Sequence, residues 1–347
     1  MNNAEYWQKR AEQDVLKVEK EIDKINDDLK VAFTTATQKL INEIYKFYSL
    51  YDLTDYSNMY KILSADEAKE LRDKARKVYK TAYSEELKSL AKNMKGSYRI
   101  QAIKALLFNL ISDIEELYQL QQDDYDNDLP SIYKAMYYKK IYDMQVGTGF
   151  GYDVDRLEDG KVKQAVSQSW LGENYSERIW SNRYKLSQVI QQELPQAIIQ
   201  GQNPKQLAKT IQKRMNTSYF NAERLARTEY LHVLNEANYK AMNGSGLFKK
   251  YQYMATLDYR TSQICRDMDG KVFDMSKKQT GVNYPPLHPN CRSTTAPYFK
   301  DLQGTRIAKT KEGTYYEIDR NITYREWEKM QNLEENNKWL LKQEKSP

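Results

Sequence analysis

The stretch AEQDVLKVEKEIDKINDDLKVAFTTATQKLINEIYKF, residues 11–47, decides the fold class. Its apolar residues Ala11, Val15, Val18, Ile22, Ile25, Leu29, Ala32 and Ala36 step alternately by four and three. At that period one narrow apolar seam stays on one side of an α-helix. Leu40, Ile44 and Phe47 carry the seam on after a one-residue shift. Most other positions are charged or polar, so the seam needs a partner helix. An intramolecular helical hairpin supplies one, and so does self-association through residues 11–36. The length of the seam does not choose between them.

Helical signals continue outward from this segment. Ser64 and Glu67 have the spacing of a capping box ahead of Leu71, Ala75, Val78 and Ala82, with Gly96 ending that helix or lying in the next turn. Ile100, Ile103, Leu107, Leu110, Ile114 and Leu117 form the stripe of a third helix. It reads as running out into an acidic loop at Asp123, Asp124, Asp126 and Asp128, stopped by Pro130. That loop lacks the glycine and distal glutamate of a calcium-binding loop. Gly147, Gly149 and Gly151 read as a flexible joint, because G-T-G-F-G is not the phosphate-cradling G-x-G-x-x-G. Leu186, Val189, Ile190 and Leu194 predict a helix ending before Pro195 and closed by Gly201. Pro204 opens another at its first turn, with Leu207, Ala208 and Ile211 inward, and a further helix over 221–243 stops at Gly244 and Gly246.

The pattern changes at Lys249. Tyr251, Tyr253, Ala255 and Leu257 alternate with Gln252, Met254 and Thr256, as in a half-buried strand. Asp269-Gly270 reads as a tight turn, and Pro285, Pro286, Pro289 and Pro297 impose an extended, irregular path. Tyr315, Tyr316 and Ile318, after turn-prone Gly313, suggest a short strand, and a last helix is expected from Thr323 to about 341. The expectation is a mainly α chain with a small α+β C-terminal module. It divides into a helical region 1–150, a helical region 151–245, an α+β module 246–322, and a C-terminal helix and tail 323–347.

Composition narrows the function classes. The 347 residues suit two or three domains, and a mean hydropathy of −0.87 with no long apolar run argues against a membrane-spanning helix. Met1–Trp7 lacks the basic and apolar regions of a secretory signal. The net charge of +6 lies mostly in residues 247–347, with 18 basic against 13 acidic groups. That balance permits nucleic-acid contact without demanding it. Two cysteines exclude a disulfide-dense scaffold.

Both cysteines and one of the two histidines, His288, fall between Asp258 and Arg292. Zinc takes Cys and His in tetrahedral geometry, and His288-x-x-Cys291 has ligand-like spacing with Cys265 nearby. A fourth ligand is unknown; Asp258, Asp267 and Asp269 are candidates. The alternative is a buried turn in which the thiols pack as small apolar groups and His288 bonds to the backbone. Basic Lys249, Lys250, Arg266, Lys271, Lys277 and Lys278 interleave with Tyr251, Tyr253, Tyr259 and Tyr284. This suits weak, salt-sensitive, sequence-independent DNA contact, which Asp258, Asp267, Asp269 and Asp274 partly offset.

A-R-T-E-Y at 226–230, D-x-R-T-S-x-x-C at 258–265, D-G-K-V-F at 269–273 and P-P-L-H-P-N-C-R-S-T at 285–294 resemble the phage head morphogenesis family named after the F protein of phage Mu. The resemblance covers about residues 186–299. It implies a minor head (minor capsid) protein present in few copies at or near the portal vertex. Implied partners are portal protein, major capsid or scaffold protein, and DNA during packaging or ejection. The implied locations are the virion and, during assembly, the host cytoplasm. Some members read C-x-x-C and C-R-C where this chain has Ser262 with Cys265, and Cys291 with Ser293, so a four-thiolate site is excluded here. Asp258, Arg260, Asp269, Gly270, Pro286 and Arg292 are then expected to fix the segment through buried ion pairs and turns.

Some family relatives are also similar to, or fused with, ADP-ribosyltransferases, which use an Arg, a Ser-Thr-Ser-like strand and Glu-x-Glu. Arg260, Ser293-Thr294-Thr295, Glu326 and Glu328 occur here in that order. The likeness implies Arg260 on phosphate and Glu328 stabilising an oxocarbenium-like centre. Against it, Thr323 and Glu326 have capping-box spacing, which puts Glu326 on a helix.

Overall fold

The 48-residue seam helix is the longest element of the computed structural model, which describes residues 3–149, 151, 156–298, 305–310, 314–319 and 322–331. This helix, α1 (Asn3–Leu50), buries Ala11, Val15, Val18, Ile22, Ile25 and Leu29, then Phe33, Ala36, Leu40, Ile44 and Phe47. Phe33 rather than Ala32 takes the seam position, so the one-residue shift falls after Leu29. All of these side chains are covered within one copy of the chain. The expectation of self-association through the 11–36 seam is therefore corrected, since a face already buried cannot also be an outer interface.

The chain is mainly α with a small α+β module. The helices α2 (Ala65–Thr81), α3 (Glu85–Gly96), α4 (Ala102–Thr148), α5 (Asp159–Val166), α6 (Tyr175–Ile199) and α7 (Pro204–Ser245) follow α1. The Ser64–Glu67 capping box opens α2 as its spacing predicts, and Ser84 caps a separate α3 that Gly96 ends. The acidic loop at 123–128 does not form. It is part of α4, and Pro130 lies inside that helix. Buried Tyr125, Leu129 and Tyr133 extend the apolar stripe past the proline, and packing outweighs the lost hydrogen bond. The carboxylates find donors: Gln119 to Asp123 at 2.8 Å and Gln122 to Asp126 at 2.9 Å within the helix, and Tyr230 of α7 to Asp128 at 2.9 Å. Pro195 likewise sits inside α6, and the two helices expected after Pro204 are one.

Three antiparallel strands follow, in the order β2-β1-β3: β1 (Lys250–Met254), β2 (Val272–Asp274) and β3 (Thr294–Pro297). Tyr251 of β1 faces Phe273 and Pro297, and Tyr253 faces Thr295. The short α8 (Gln263–Met268) lies between β1 and β2 in sequence. A separate pair, β4 (Thr305–Lys309) and β5 (Tyr315–Asp319), touches the end of the first sheet through a Leu257–Ala308 bridge. A last helix, α9, is described over 324–331, opened by the Thr323–Glu326 box. Its expected extension to 341 and the turn at Gly313 lie outside the described residues.

Two compact units result. One comprises residues 1–23, 128–172 and 224–347, the other 24–127 and 173–223. Both are discontinuous, in contrast to the successive blocks expected, because α1, α4 and α7 each contribute to both. The first holds the strands. There Asp14 and Asp143, both fully buried, are met by Lys139 at 2.6 and 2.7 Å, and Asp14 also by buried Lys140 at 3.2 Å. No described helix is long and apolar enough to cross a membrane.

Gly147 marks a close approach rather than a joint, and the chain turns only beyond it, at Gly149 with φ +73°. An ideal Cβ at 147 would lie 2.6 Å from the Tyr6 ring and 2.7 Å from Trp7. Alanine gains about 1 kcal/mol of helix propensity, but overpacking costs about 1–3 kcal/mol. Gly147→Ala is expected to lower the thermal unfolding midpoint. Gly160→Ala, where nothing lies within 4 Å, should leave it unchanged or raise it.

Candidate functional site

The segment between β1 and β3 is held by carboxylates that satisfy backbone donors. Asp258 accepts from the Arg260 N–H at 2.9 Å and the Thr261 hydroxyl at 3.1 Å, and is clasped by both terminal nitrogens of Arg292. Burial opposes ionisation of Asp258, yet the Arg292 guanidinium and the Arg260 N–H outweigh it and hold the carboxyl below its ordinary value. Asp269 accepts from the Ala255 N–H at 2.8 Å and the Tyr324 N–H at 2.9 Å, tying β1 to α9. Gly270 follows with φ +78°, where glycine is favoured, and the Pro285-Pro286 bond is cis. Arg260 departs from expectation. Its side chain is 73% exposed and approaches Asp258 no closer than 3.9 Å, so it makes no buried ion pair.

This framework delivers three donors to one point. Ser262 caps α8 and sets Cys265 at its start. Helix α7 holds the opposite wall: the Thr228 hydroxyl accepts from the Asn290 N–H at 2.9 Å, and Asn235 donates to the Ser293 carbonyl at 3.2 Å. Asn290 itself takes φ +65°, a conformation asparagine tolerates. Cys265 Sγ then lies 3.6 Å from Cys291 Sγ and 3.2 Å from His288 Nε2. His288 Nδ1 lies 2.7 Å from the Pro289 carbonyl oxygen, which can only accept, so Nδ1 carries the proton and Nε2 is left as a lone-pair donor facing Cys265. The Ser262 hydroxyl is 2.6 Å from the same Nε2. Buried Tyr253 touches both sulfurs, at 3.3 and 3.8 Å. Cys291 is the thiol that ionises first, lowered by the hydrogen bond shared with Cys265 against the effect of burial. Cys265 is pushed up by the same bond and by burial.

A tetrahedral zinc with Zn–S of about 2.3 Å and Zn–N of about 2.0 Å spaces its donors by roughly 3.5–3.8 Å. The three donors here lie within 4.8 Å of one another. An imidazole oriented by a backbone carbonyl at its other nitrogen also suits a metal ligand. The candidate fourth ligands do not join them: Asp258 is committed to Arg292, Asp269 to two backbone N–H groups, and exposed Asp267 to Arg325 and Gln263. Ser262 and Tyr253 complete the cluster. The first stands where the C-x-x-C of the resembled family has its leading cysteine, and the strand alternation hid the second as core.

The basic set is also divided. Arg266 pairs with Glu328 at 2.6 Å and donates to the Thr261 carbonyl at 2.8 Å, and Lys278 is bound to Glu236 at 2.5 Å against the Tyr239 ring. Both are corrected as DNA contacts, because their charge is neutralised inside the fold. Lys249, Lys250, Lys271 and Lys277 remain exposed. The expected transferase set does not converge either. Ser293 is buried, Glu326 caps its own helix and Glu328 holds Arg266. Arg260 instead lines a cleft with Glu12 and Glu19 of α1 and Lys309 of β4. Burial raises the Glu19 carboxyl there, outweighing the pull of Arg292, Arg227 and Lys309.

The block that builds this cluster, from within α6 to β3, matches a known family. Residues 188–296 match the model of the phage Mu protein F like family. A minor head protein of Bacillus phage SPP1 is 28% identical over 244 residues, covering 66% of this chain and 75% of that protein. An NAD(+)–arginine ADP-ribosyltransferase of Enterococcus faecalis is 22% identical over 255 residues, 68% of this chain. The chain spans about half, 51%, of that enzyme's length. No solved structure matches.

The Asp258 carboxyl gives a pH signature. Its folded value is depressed, so its contribution is complete above the ordinary aspartate range of about 4 and is lost as pH falls through the folded value. Asp258→Asn should lower the unfolding midpoint at pH 7 and flatten the acid limb of the stability curve. An acid limb identical to wild type would remove Asp258 from this role.

Proposed function

We propose that the chain is a minor structural protein of a phage head, acting at or near the portal vertex. Its partners there are portal protein and major capsid or scaffold protein. The observation that carries this reading is the coincidence of the family stretch 188–296 with the α7–β3 block around Cys265, His288 and Cys291. The likeness to a phage minor head protein, over 66% of the chain, supports it. On this reading the protein resides in the virion head, is assembled in the host cytoplasm, and contributes few copies per particle. Any DNA contact is weak and made by Lys249, Lys250, Lys271 and Lys277, two of which share Asp274 at 3.9 and 3.6 Å. ADP-ribosyl transfer is not part of the proposal, because Glu326 and Glu328 do not line the cleft that Arg260 lines.

The cluster's role on this reading is to hold the docking module rigid. Zinc fits it, with Cys265, His288 and Cys291 as the protein donors and the fourth position outside the protein set. Quantitative mass spectrometry of purified heads should find this chain at or below the portal subunit's number, and its absence from heads and mature particles would refute the structural role. Metal analysis of protein purified without chelator should give about one zinc per chain, lost in Cys291→Ser. Wild-type protein free of metal, with an unfolding midpoint insensitive to chelator, would leave the thiols as plain core residues.

A further inference from the structure

The cleft that Arg260 lines has no part in the reading above, and it lies wholly within the unit that holds the strands. Helix α1 forms one wall, and β4 with the start of β5 forms another. Most of the polar lining is committed inside the fold. Glu12 takes the Ile307 N–H on both carboxylate oxygens, at 3.0 and 3.1 Å. Asp258 holds Arg292. Thr256 donates to the Arg292 carbonyl at 2.9 Å, and Thr294 donates to the Asn235 side chain at 3.0 Å. Glu19 differs from all of these. It makes no hydrogen bond or close ion pair among the described residues, although Arg292, Arg227 and Lys309 attract it. Burial raises its carboxyl against that attraction, and Asp23 pushes the same way. A half-buried carboxylate without a donor is an unmet demand for one.

Two of the sequence motifs leave an arginine over at this place. In A-R-T-E-Y, Thr228 holds Asn290, Glu229 takes the Trp170 indole N–H at 3.1 Å, and Tyr230 donates to Asp128. Arg227 alone of the four polar side chains has no hydrogen bond or close ion pair among the described residues. In D-x-R-T-S, Asp258 clasps Arg292, Thr261 donates to the Thr256 carbonyl, and Ser262 caps α8. Arg260 is again the one left over, 73% exposed and 3.9 Å from Asp258. Arg227 acts on Glu19, and Arg260 lines the same cleft as Glu19. Lys309 completes the set, with its ammonium 4.8 Å from the centre of the Tyr315 ring and 3.4 Å from the Tyr315 hydroxyl. Three cations without a close carboxylate thus surround one carboxylate without a donor.

We propose that this cleft binds a sugar phosphate, with its phosphate on Arg227, Arg260 and Lys309 and a sugar hydroxyl donating to Glu19. Arginine forks and a lysine ammonium match the several acceptor oxygens of a phosphomonoester dianion. A phosphate alone would meet Glu19 as a like charge, and a hydroxyl beside the phosphate gives that carboxylate the donor it lacks. A nucleotide presents the same chemistry, and its base would then stack on the Tyr315 ring, which is 51% exposed. The inference does not rest on the head-protein reading, and its failure would leave the copy number in heads untouched.

The test is titration calorimetry on the full chain with ribose 5-phosphate, inorganic phosphate, adenosine 5′-monophosphate and a 5′-phosphorylated DNA dinucleotide, whose phosphorylated sugar has no free hydroxyl. Ribose 5-phosphate should bind at least tenfold tighter than inorganic phosphate or the dinucleotide. Adenosine 5′-monophosphate binding tighter than ribose 5-phosphate would support the proposal with a nucleotide as the source. The reverse order would support it with a free sugar phosphate as the source. Arg260→Ala, at an exposed position, should weaken ribose 5-phosphate several-fold at unchanged circular dichroism. Glu19→Leu should weaken ribose 5-phosphate several-fold and leave inorganic phosphate unchanged or tighter, a split that general damage to the fold would not produce. Ribose 5-phosphate that fails to bind, or binds no tighter than inorganic phosphate, would overturn the proposal, as would binding unaffected by Arg260→Ala. The dinucleotide binding as tightly as ribose 5-phosphate would also overturn it, by assigning the cations to the end of a DNA strand.

Discussion

The contact between Asp258 and Arg292 is the constraint from which the C-terminal module takes its shape. A sheet of three strands, none longer than five residues, has too little ladder to fix its own connections. The clasp joins Asp258, four residues beyond β1, to Arg292, two residues before β3. Both ends of the irregular 258–292 segment are thereby anchored. The same aspartate caps the turn at 260–261, and its own carbonyl accepts from the Tyr324 hydroxyl at 2.8 Å. One aspartate, through its carboxylate and its carbonyl together, thus ties the turn, the approach to β3 and the last helix. An ion pair of this kind is strongly coupled: removing one partner leaves a buried charge, so the loss exceeds what the pair contributes when intact.

The thiol–imidazole cluster is a consequence of that anchoring. Cys265 and Cys291 are 26 residues apart and meet because α8 and the 285–293 segment are each tied at both ends. Helix α7 supplies the remaining ties through Thr228, Asn235 and Glu236, and Tyr284 closes the back by donating to the Asn235 carbonyl at 2.8 Å. A site assembled in this way is rigid before any ligand arrives. Rigidity is what a metal knot or a docking module needs, and it is of less use to a cleft that must open for turnover.

Much of this was legible in the sequence, for physical reasons that also explain what was not. The heptad seam, the Ser64–Glu67 and Thr323–Glu326 boxes and the alternation at 251–257 are local patterns, and each appears where its period or spacing places it. Pro130 and Pro195 were read as stops because a proline in isolation breaks a helix. Tertiary packing of Tyr125, Leu129 and Tyr133 on one side and of Leu194, Ala197 and Ile198 on the other carries the helices past them. The charges were the least legible. Arg266 and Lys278 look like surface cations in the chain, and nothing local reveals that Glu328 and Glu236, 62 and 42 residues away, neutralise them. Asp258 reads both as one of three candidate fourth ligands and as a member of the buried ion pairs, and its partner is Arg292, the arginine next to a cysteine. Sequence proximity to a site is not membership in it.

Neither compact unit is a continuous piece of chain, and this sets an order on biosynthesis. The first turns of α1 share a unit with residues 128–172 and 224–347, so their apolar face waits for about a hundred residues of further translation before its first native partner exists. Until then an amphipathic helix of 48 residues has no native partner for its opening stripe. Long-range closure of this kind slows folding and leaves the nascent chain exposed to wrong associations. The ribosome-bound intermediate, rather than the finished protein, is therefore the form in which the N-terminal seam is open to other molecules.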